Sequence, residues 1–413
     1  MVNDPATLVP LVLALLFGLG VPKSFSLLYV ALAASAWLGW RRPGLRPSAL
    51  LLWSAVWLLL FGVSYAVFQV GWQVWSPAQD FLPEILAVVV LPSAGLVAGW
   101  LLHRFGRPLG TRLILAYVFG ALIYALLALA LSRTPWWNLA QTFPHVLRVP
   151  WGPEQWLSTR AVEQRSFLAL TLLPVGIPLL LRPQARLRWW GVVCVVMAGV
   201  AMHVAWAVQG RIGWAALLLA ALPWLCWLQR SSLRWLVAGL AGTVLSLAIG
   251  SGRLCDERWW LVGGFLQHLG DAPWGGRLIQ YTYADCKPGV WLRFGSSAGT
   301  NAFTPHNLVL DIYNDAGWIP FVCLLMAVVP LLVALLRGFW MSFARDGWDG
   351  QLALRWSVVC VLVVEWLAQP LFYTDQLMFS LGFVLAGALL ADFSSRSPGD
   401  WPAARPSHRG RSL

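Results

Sequence analysis

The chain has 413 residues, 59% of them hydrophobic and only 11% charged, with a net charge of +12. Soluble domains carry roughly 25% charged residues, so water is excluded as the main solvent. The positive balance is almost entirely arginine, lysine occurring only at Lys23 and Lys287, and it sits in short segments between apolar runs, which is a membrane-topology pattern rather than a nucleic-acid-binding one.

The first apolar run follows Asp4 without a basic segment ahead of it or a small-residue cleavage site after it. It therefore reads as a retained helix, short enough to be re-entrant, rather than a signal peptide. Further runs recur near the ~20 residues that cross ~30 Å of hydrocarbon. Helices are predicted at 7–20, 24–40, 49–70, 84–102, 113–131, 166–181, 189–208, 213–229, 235–250, 317–336, 354–369 and 376–391. The 28 Trp residues agree, since indole rings favour the headgroup zone. The expected fold is an all-α polytopic membrane protein of about twelve transmembrane helices, one domain over 1–392 with no detectable internal repeat. A basic tail over 393–413, rich in Pro, Ser and Arg, is expected to be disordered.

Twelve crossings put both termini on one side. Segments 41–48, 103–112, 182–188, 230–234 and 337–355, with the tail, hold 18 of the 29 basic residues, so the positive-inside rule makes them and both termini cytoplasmic. The opposite side then carries two larger periplasmic loops, 132–165 and 251–316. All outward basic residues except Lys23 and Arg211 fall in those two loops. Long loops translocate regardless of charge, but a set of arginines facing outward also suggests an anionic ligand.

The most informative stretch is Thr304-Pro305-His306-Asn307-Leu308. Threonine is a good N-cap and proline suits the first helical position, which predicts a helix running through Leu308 to Ala316 and ending at Gly317. His306 would then occupy the first turn, where the positive end of the dipole keeps imidazole neutral and able to accept a proton. It is a candidate general base for a sugar hydroxyl, or else only a packing group. Arg211, after Gln209-Gly210, opens an apolar helix and either snorkels or clamps phosphate. Arg258, in Asp256-Glu257-Arg258-Trp259-Trp260, either pairs with its acidic neighbours or offers its planar fork to a diphosphate.

With these pieces on the page, the C-terminal half resembles the O-antigen ligase and O-antigen polymerase superfamily. The resemblance covers roughly 160–335. It runs through Gly210-Arg211-Ile212-Gly213-Trp214, Arg258-Trp259-Trp260, Pro273-Trp274-Gly275-Gly276, His306-Asn307-Leu308-Val309-Leu310 and Gly317-Trp318-Ile319. The His-Asn-x-x-Leu…Gly segment is its most specific part. The resemblance implies a GT-C-like architecture and transfer of a glycan from undecaprenyl pyrophosphate without a metal ion or other cofactor. It implies that Arg211 and Arg258 contact the pyrophosphate and that His306 activates the acceptor hydroxyl. Arg165, in Glu163-Gln164-Arg165-Ser166-Phe167, resembles the polar entry to the preceding family helix, and Arg160 follows it as a weaker candidate. Pro320 departs from the pattern, since many relatives have a second glycine there, and the glycine turn is shortened to Gly275-Gly276.

The residues point the same way on metal use. Clustered outer-loop carboxylates would be needed to hold a divalent cation; Asp80 and Glu84 are isolated, and no Asp-x-Asp occurs. Arginines can stabilise the departing pyrophosphate instead, and direct attack on the anomeric carbon would invert it.

Cys255 and Cys286 share the 251–316 loop on the oxidising side, and a disulfide between them is an open expectation. Cys194, Cys226, Cys323 and Cys360 read as packing residues without metal-ligand spacing. Glu365 and His203 lie inside apolar runs, as ion-coupling groups or as buried polar contacts. His145 and His268 have no supporting pattern. The expectation is an O-antigen ligase of the Gram-negative inner membrane, using lipid A-core oligosaccharide as acceptor. The same-fold alternatives are a glycan polymerase and a protein O-oligosaccharyltransferase. A lipid flippase or secondary transporter is the rival from another class, and it would typically show an internal repeat.

Overall fold

Apolar runs with no polar partner nearby become helices because hydrocarbon forces each segment to satisfy its own backbone N–H and C=O groups. The computed structural model describes residues 5–21, 27–28, 30–34, 47–71, 86–102, 107–131, 171–181, 183–207, 220, 265–266, 270, 273–275, 281–282, 301–302, 307–346, 350–368 and 376–394. Among them the helices are α1 (Pro5–Gly18), α2 (Ala49–Gly71), α3 (Leu91–Leu102), α4 (Arg107–Leu131), α5 (Leu173–Leu180) and α6 (Ala185–Ala207). They continue as α7 (Leu308–Ala316), α8 (Trp318–Asp346), α9 (Gly350–Ala368) and α10 (Gln376–Ser394). Two short strands, β1 (Tyr281–Thr282) and β2 (Asn301–Ala302), pair antiparallel.

Among the described residues, four segments are long and apolar enough to cross a membrane: Ala49–Gln69, Gly110–Leu127, Ala185–His203 and Trp318–Ser342. Their outward faces remain apolar. Leu52, Val56, Leu59, Leu60, Val63 and Val67 recur at helical spacing on α2 and are all exposed, as are Val322, Val329, Val333, Leu336 and Trp340 on α8. Continuous apolar surface of this kind suits lipid, not water.

Helices that gain nothing from hiding apolar surface must pack by close contact, which small residues permit. A Cβ on Gly18 would overlap the Tyr117 carbonyl and one on Gly120 the Leu15 carbonyl, so α1 and α4 meet backbone to backbone. Gly99 against Val384, and Gly387 against Leu96, join α3 to α10 in the same way. The buried residues form two clusters. One contains Phe17, Tyr117, Val118, Ala198 and Leu362, the other Phe61, Leu96, Ile312, Leu331 and Phe383. Helix α8 runs antiparallel to α2, with Trp53 Nε1 donating to the Met326 carbonyl at 2.9 Å and Ser54 Oγ to the Ala327 carbonyl at 3.2 Å.

Three expectations change. The helix expected over 84–102 is a π-helical turn, Leu86–Val90, followed by α3. Pro92 explains the break, because its ring cannot donate to the preceding turn and crowds the carbonyl four residues back. The helix expected over 166–181 is helical in its described part from Leu173, with proline in its first turn. The segment 337–355, expected as a basic loop, is largely helix: α8 continues to Asp346 and α9 starts at Gly350. Arg355 is accordingly a buried residue of α9, ion-paired with Asp392 of α10, and its Nη2 donates to Thr111 Oγ1 of α4 at 3.3 Å. The expected helices at 213–229, apart from the buried Ala220, and at 235–250, most of the two large loops, and the tail after Ser394 fall outside the described residues.

Candidate functional site

The short helix α7 is the part of the sequence-flagged region that the structure places in detail. Its N-cap is Asn307, with extended backbone at φ −137° and ψ 119°. Asn307 Oδ1 accepts from the amides of Val309 at 3.1 Å and Leu310 at 3.3 Å, and its carbonyl accepts from the Asp311 amide at 2.7 Å. Asparagine is at least as strong a cap as threonine, so the helix begins at Leu308 and Thr304 is not its cap. This corrects the expectation for His306, which precedes the cap instead of belonging to the first turn. The first-turn acid is Asp311, fully buried and well placed against the positive helix end.

Two longer helices hold α7 from different sides. Asn307 Nδ2 donates to the Leu367 carbonyl of α9 at 3.0 Å. At the other end of α7, Tyr65 Oη of α2 donates to Asp315 Oδ2 at 3.1 Å, and Gln69 Nε2 reaches the Asp315 carbonyl at 3.5 Å. Burial pushes the Asp315 carboxyl up to about 7, opposed by its hydrogen bonds with Tyr65 and Asn314. The buried face mixes Leu308, Ile312 and Ala316 with Asp311 and Asn314. Tyr313 stacks edge-on between Phe265, centroids 5.8 Å apart, and Phe321 of α8, 5.5 Å apart.

The turn from α7 into α8 joins two flagged motifs that lie far apart in the sequence. Gly317 has φ +81° and Gly275 φ +84°. A Cβ on Gly317 would stand 2.5 Å from the Pro273 carbonyl oxygen, and one on Gly275 would stand 2.5 Å from the Gly317 nitrogen. Both positions thus demand glycine twice, for backbone sign and for space. The Trp318 amide donates to the Pro273 carbonyl at 3.0 Å, which satisfies an N–H that the start of α8 leaves without a partner. Trp274 and Trp318 stay exposed beside this junction, with ring centroids 6.1 Å apart. Pro320 sits in the first turn of α8, where a missing N–H costs little.

The expected base His306, the expected pyrophosphate ligands Arg211, Arg258, Arg165 and Arg160, and the cysteines Cys255 and Cys286 lie outside the described residues. Glu365 is fully buried near the end of α9, and His203 is half-buried in α6. Cys194, Cys323 and Cys360 are free thiols within α6, α8 and α9. Among the described residues no group of three His, Cys, Asp or Glu side chains converges to hold a metal ion. Sequence reasoning missed Tyr65, Gln69 and Asp315. The available signal was Asp311 and Asp315 four residues apart, on one side of a helix too short to span a bilayer. Comparison with known proteins finds no matching family model and no matching curated protein.

Proposed function

We propose that this chain is an inverting, metal-independent glycosyltransferase of about twelve transmembrane helices, an O-antigen ligase of the Gram-negative inner membrane. Both termini would be cytoplasmic, with the reaction on the periplasmic face. Its donor is a glycan on undecaprenyl pyrophosphate and its acceptor a hydroxyl of the lipid A-core oligosaccharide. His306 takes the proton from the acceptor hydroxyl as the oxygen attacks the anomeric carbon. The bond to pyrophosphate breaks on the opposite side, and the guanidinium groups of Arg211 and Arg258, with Arg165 and Arg160 nearby, receive the developing negative charge.

One observation supports this reading above the others. Two pieces of the resemblance, Pro273-Trp274-Gly275 and Gly317-Trp318, meet at one backbone junction, although more than forty residues separate them. Pieces that had matched by chance would have no reason to share a backbone junction that excludes a methyl group. The reading is tested in purified protein given a labelled polyprenyl-pyrophosphate oligosaccharide. His306→Ala is expected to cut transfer to a trace rate while donor binding survives, and unchanged turnover would remove the base assignment. Arg211→Ala and Arg258→Ala are expected to weaken donor binding, and unaltered affinity would take them out of the clamp. Following the label into lipid A-core, a second donor molecule or a protein separates the ligase from the polymerase and the protein glycosyltransferase.

A further inference from the structure

The first four N–H groups of a helix and the last four C=O groups have no partner within that helix. Where α7 meets α9, one residue answers for three such groups. Asn307 covers the amides of Val309 and Leu310 with its side-chain oxygen, while its side-chain nitrogen covers the Leu367 carbonyl, one residue before the end of α9. Aspartate caps as well as asparagine but has nothing to donate when ionised, and serine has a single short hydroxyl for both tasks. Capping alone would be served by any of the three. The donating half of the Asn307 side chain therefore has a separate use.

We propose that Asn307 is a positioning residue, whose side-chain NH2 ties the start of α7 to the end of α9 and thereby sets where the adjacent His306 stands for transfer. This rests on the glycosyl-transfer reading above. Asn307 is half-buried and Leu367 is 55% exposed, so water competes for this bond and its contribution to stability is small. Its use is geometric, because a general base must stand within hydrogen-bond reach of the proton it removes.

The test compares the wild type with Asn307→Asp, Asn307→Ser, His306→Ala and the Asn307→Asp/His306→Ala double variant, all purified and given the same labelled polyprenyl-pyrophosphate oligosaccharide and acceptor. Both single Asn307 variants keep a cap and lose the tether, one with a negative charge and one without. Each is expected to lower kcat by about 10- to 100-fold with donor KM changed by less than about twofold, the scale of a ~1 Å misplacement. The double variant is expected to be no slower than His306→Ala alone, since a residue acting through the histidine has nothing left to position. Wild-type kcat in either single variant, a loss confined to KM, or a loss that adds to that of His306→Ala overturns the proposal. The underlying reading fails differently: His306→Ala would then turn over normally, whatever the Asn307 variants do.

Discussion

The two ends of α9 are held in opposite ways. Near its start, Arg355 is buried and charged, paired with Asp392 of α10 and bonded to Thr111 of α4, so three helices share one ion pair. Twelve residues on, about 18 Å along the axis, the Leu367 carbonyl takes a single neutral hydrogen bond from Asn307 at the surface. A buried ion pair is costly to break because the surviving partner is left charged in a poor solvent. A neutral bond beside water is exchanged for another at little cost. The contrast divides the molecule into an end that must not move and an end whose short helix is seated by several small contacts. Groups that bind and release substrates belong at the second kind of end.

The comparison breaks most directly at the charged end. Asp392→Ala leaves the Arg355 guanidinium buried with its carboxylate gone, and is expected to lower stability by about 3–5 kcal/mol in detergent unfolding. A loss below about 1 kcal/mol would show that the pair is solvated and the end is not rigid. Next in size is Gly317→Ala, which forces a side chain into a positive-φ turn and against the Pro273 carbonyl. A cost of about 1–3 kcal/mol is expected, accompanied by faster hydrogen exchange in α7. Exchange that stayed slow would mean that α7 is seated without the glycine junction.

Smaller still is Tyr65→Phe, which removes only the hydroxyl that Asp315 accepts, at an expected cost of about 1 kcal/mol. A protein unaffected by this change would show that the Tyr65 hydroxyl does not help to hold α7. A different kind of test is the pH dependence of the same contact. The Asp315 carboxyl is raised to about 7 from an ordinary 3.8, so the folded state binds the extra proton between those values. Its contribution is then fully present below pH ~4 and is lost as pH rises through about 7, the sign that linkage requires for a raised acid. Asp315→Asn is expected to flatten that slope, as followed by melting temperature in detergent. Because the Tyr65 bond lowers the Asp315 value, Tyr65→Phe is expected to move the midpoint upward. A slope of the same size in Asp315→Asn would assign it to another group.

Much of the helical layout is legible from apolar run length, and α2, α4, α6, α8, α9 and α10 lie where hydropathy places them. Their ends are less legible. The basic segment 337–355, read as a loop, is mostly helix: Arg337 lies within α8 and Arg355 is buried within α9. A charge signals a helix end only when it has no partner, and the sequence does not show that Asp392 lies opposite. The α7 region was partly legible: its span from Leu308 to Ala316 and its Gly317 stop follow from local chemistry. Its cap was misassigned to Thr304 because two good capping residues stand three apart. The one that acts is Asn307, whose backbone is extended and whose side chain accepts from Val309 and Leu310.

What the sequence alone determined is therefore what depends on neighbours along the chain. Apolar runs of bilayer length, the excess of arginine in one set of segments and the glycine that ends α7 can all be read without knowing what stands opposite. What only the tertiary structure decided is pairing across space. Arg355 meets Asp392, Tyr65 meets Asp315, and Gly275 fits against Gly317. The physical reason is that hydropathy in a bilayer sets how far each segment extends, whereas polar groups in a dry interior are stable only beside specific partners, and those partners come from distant parts of the chain.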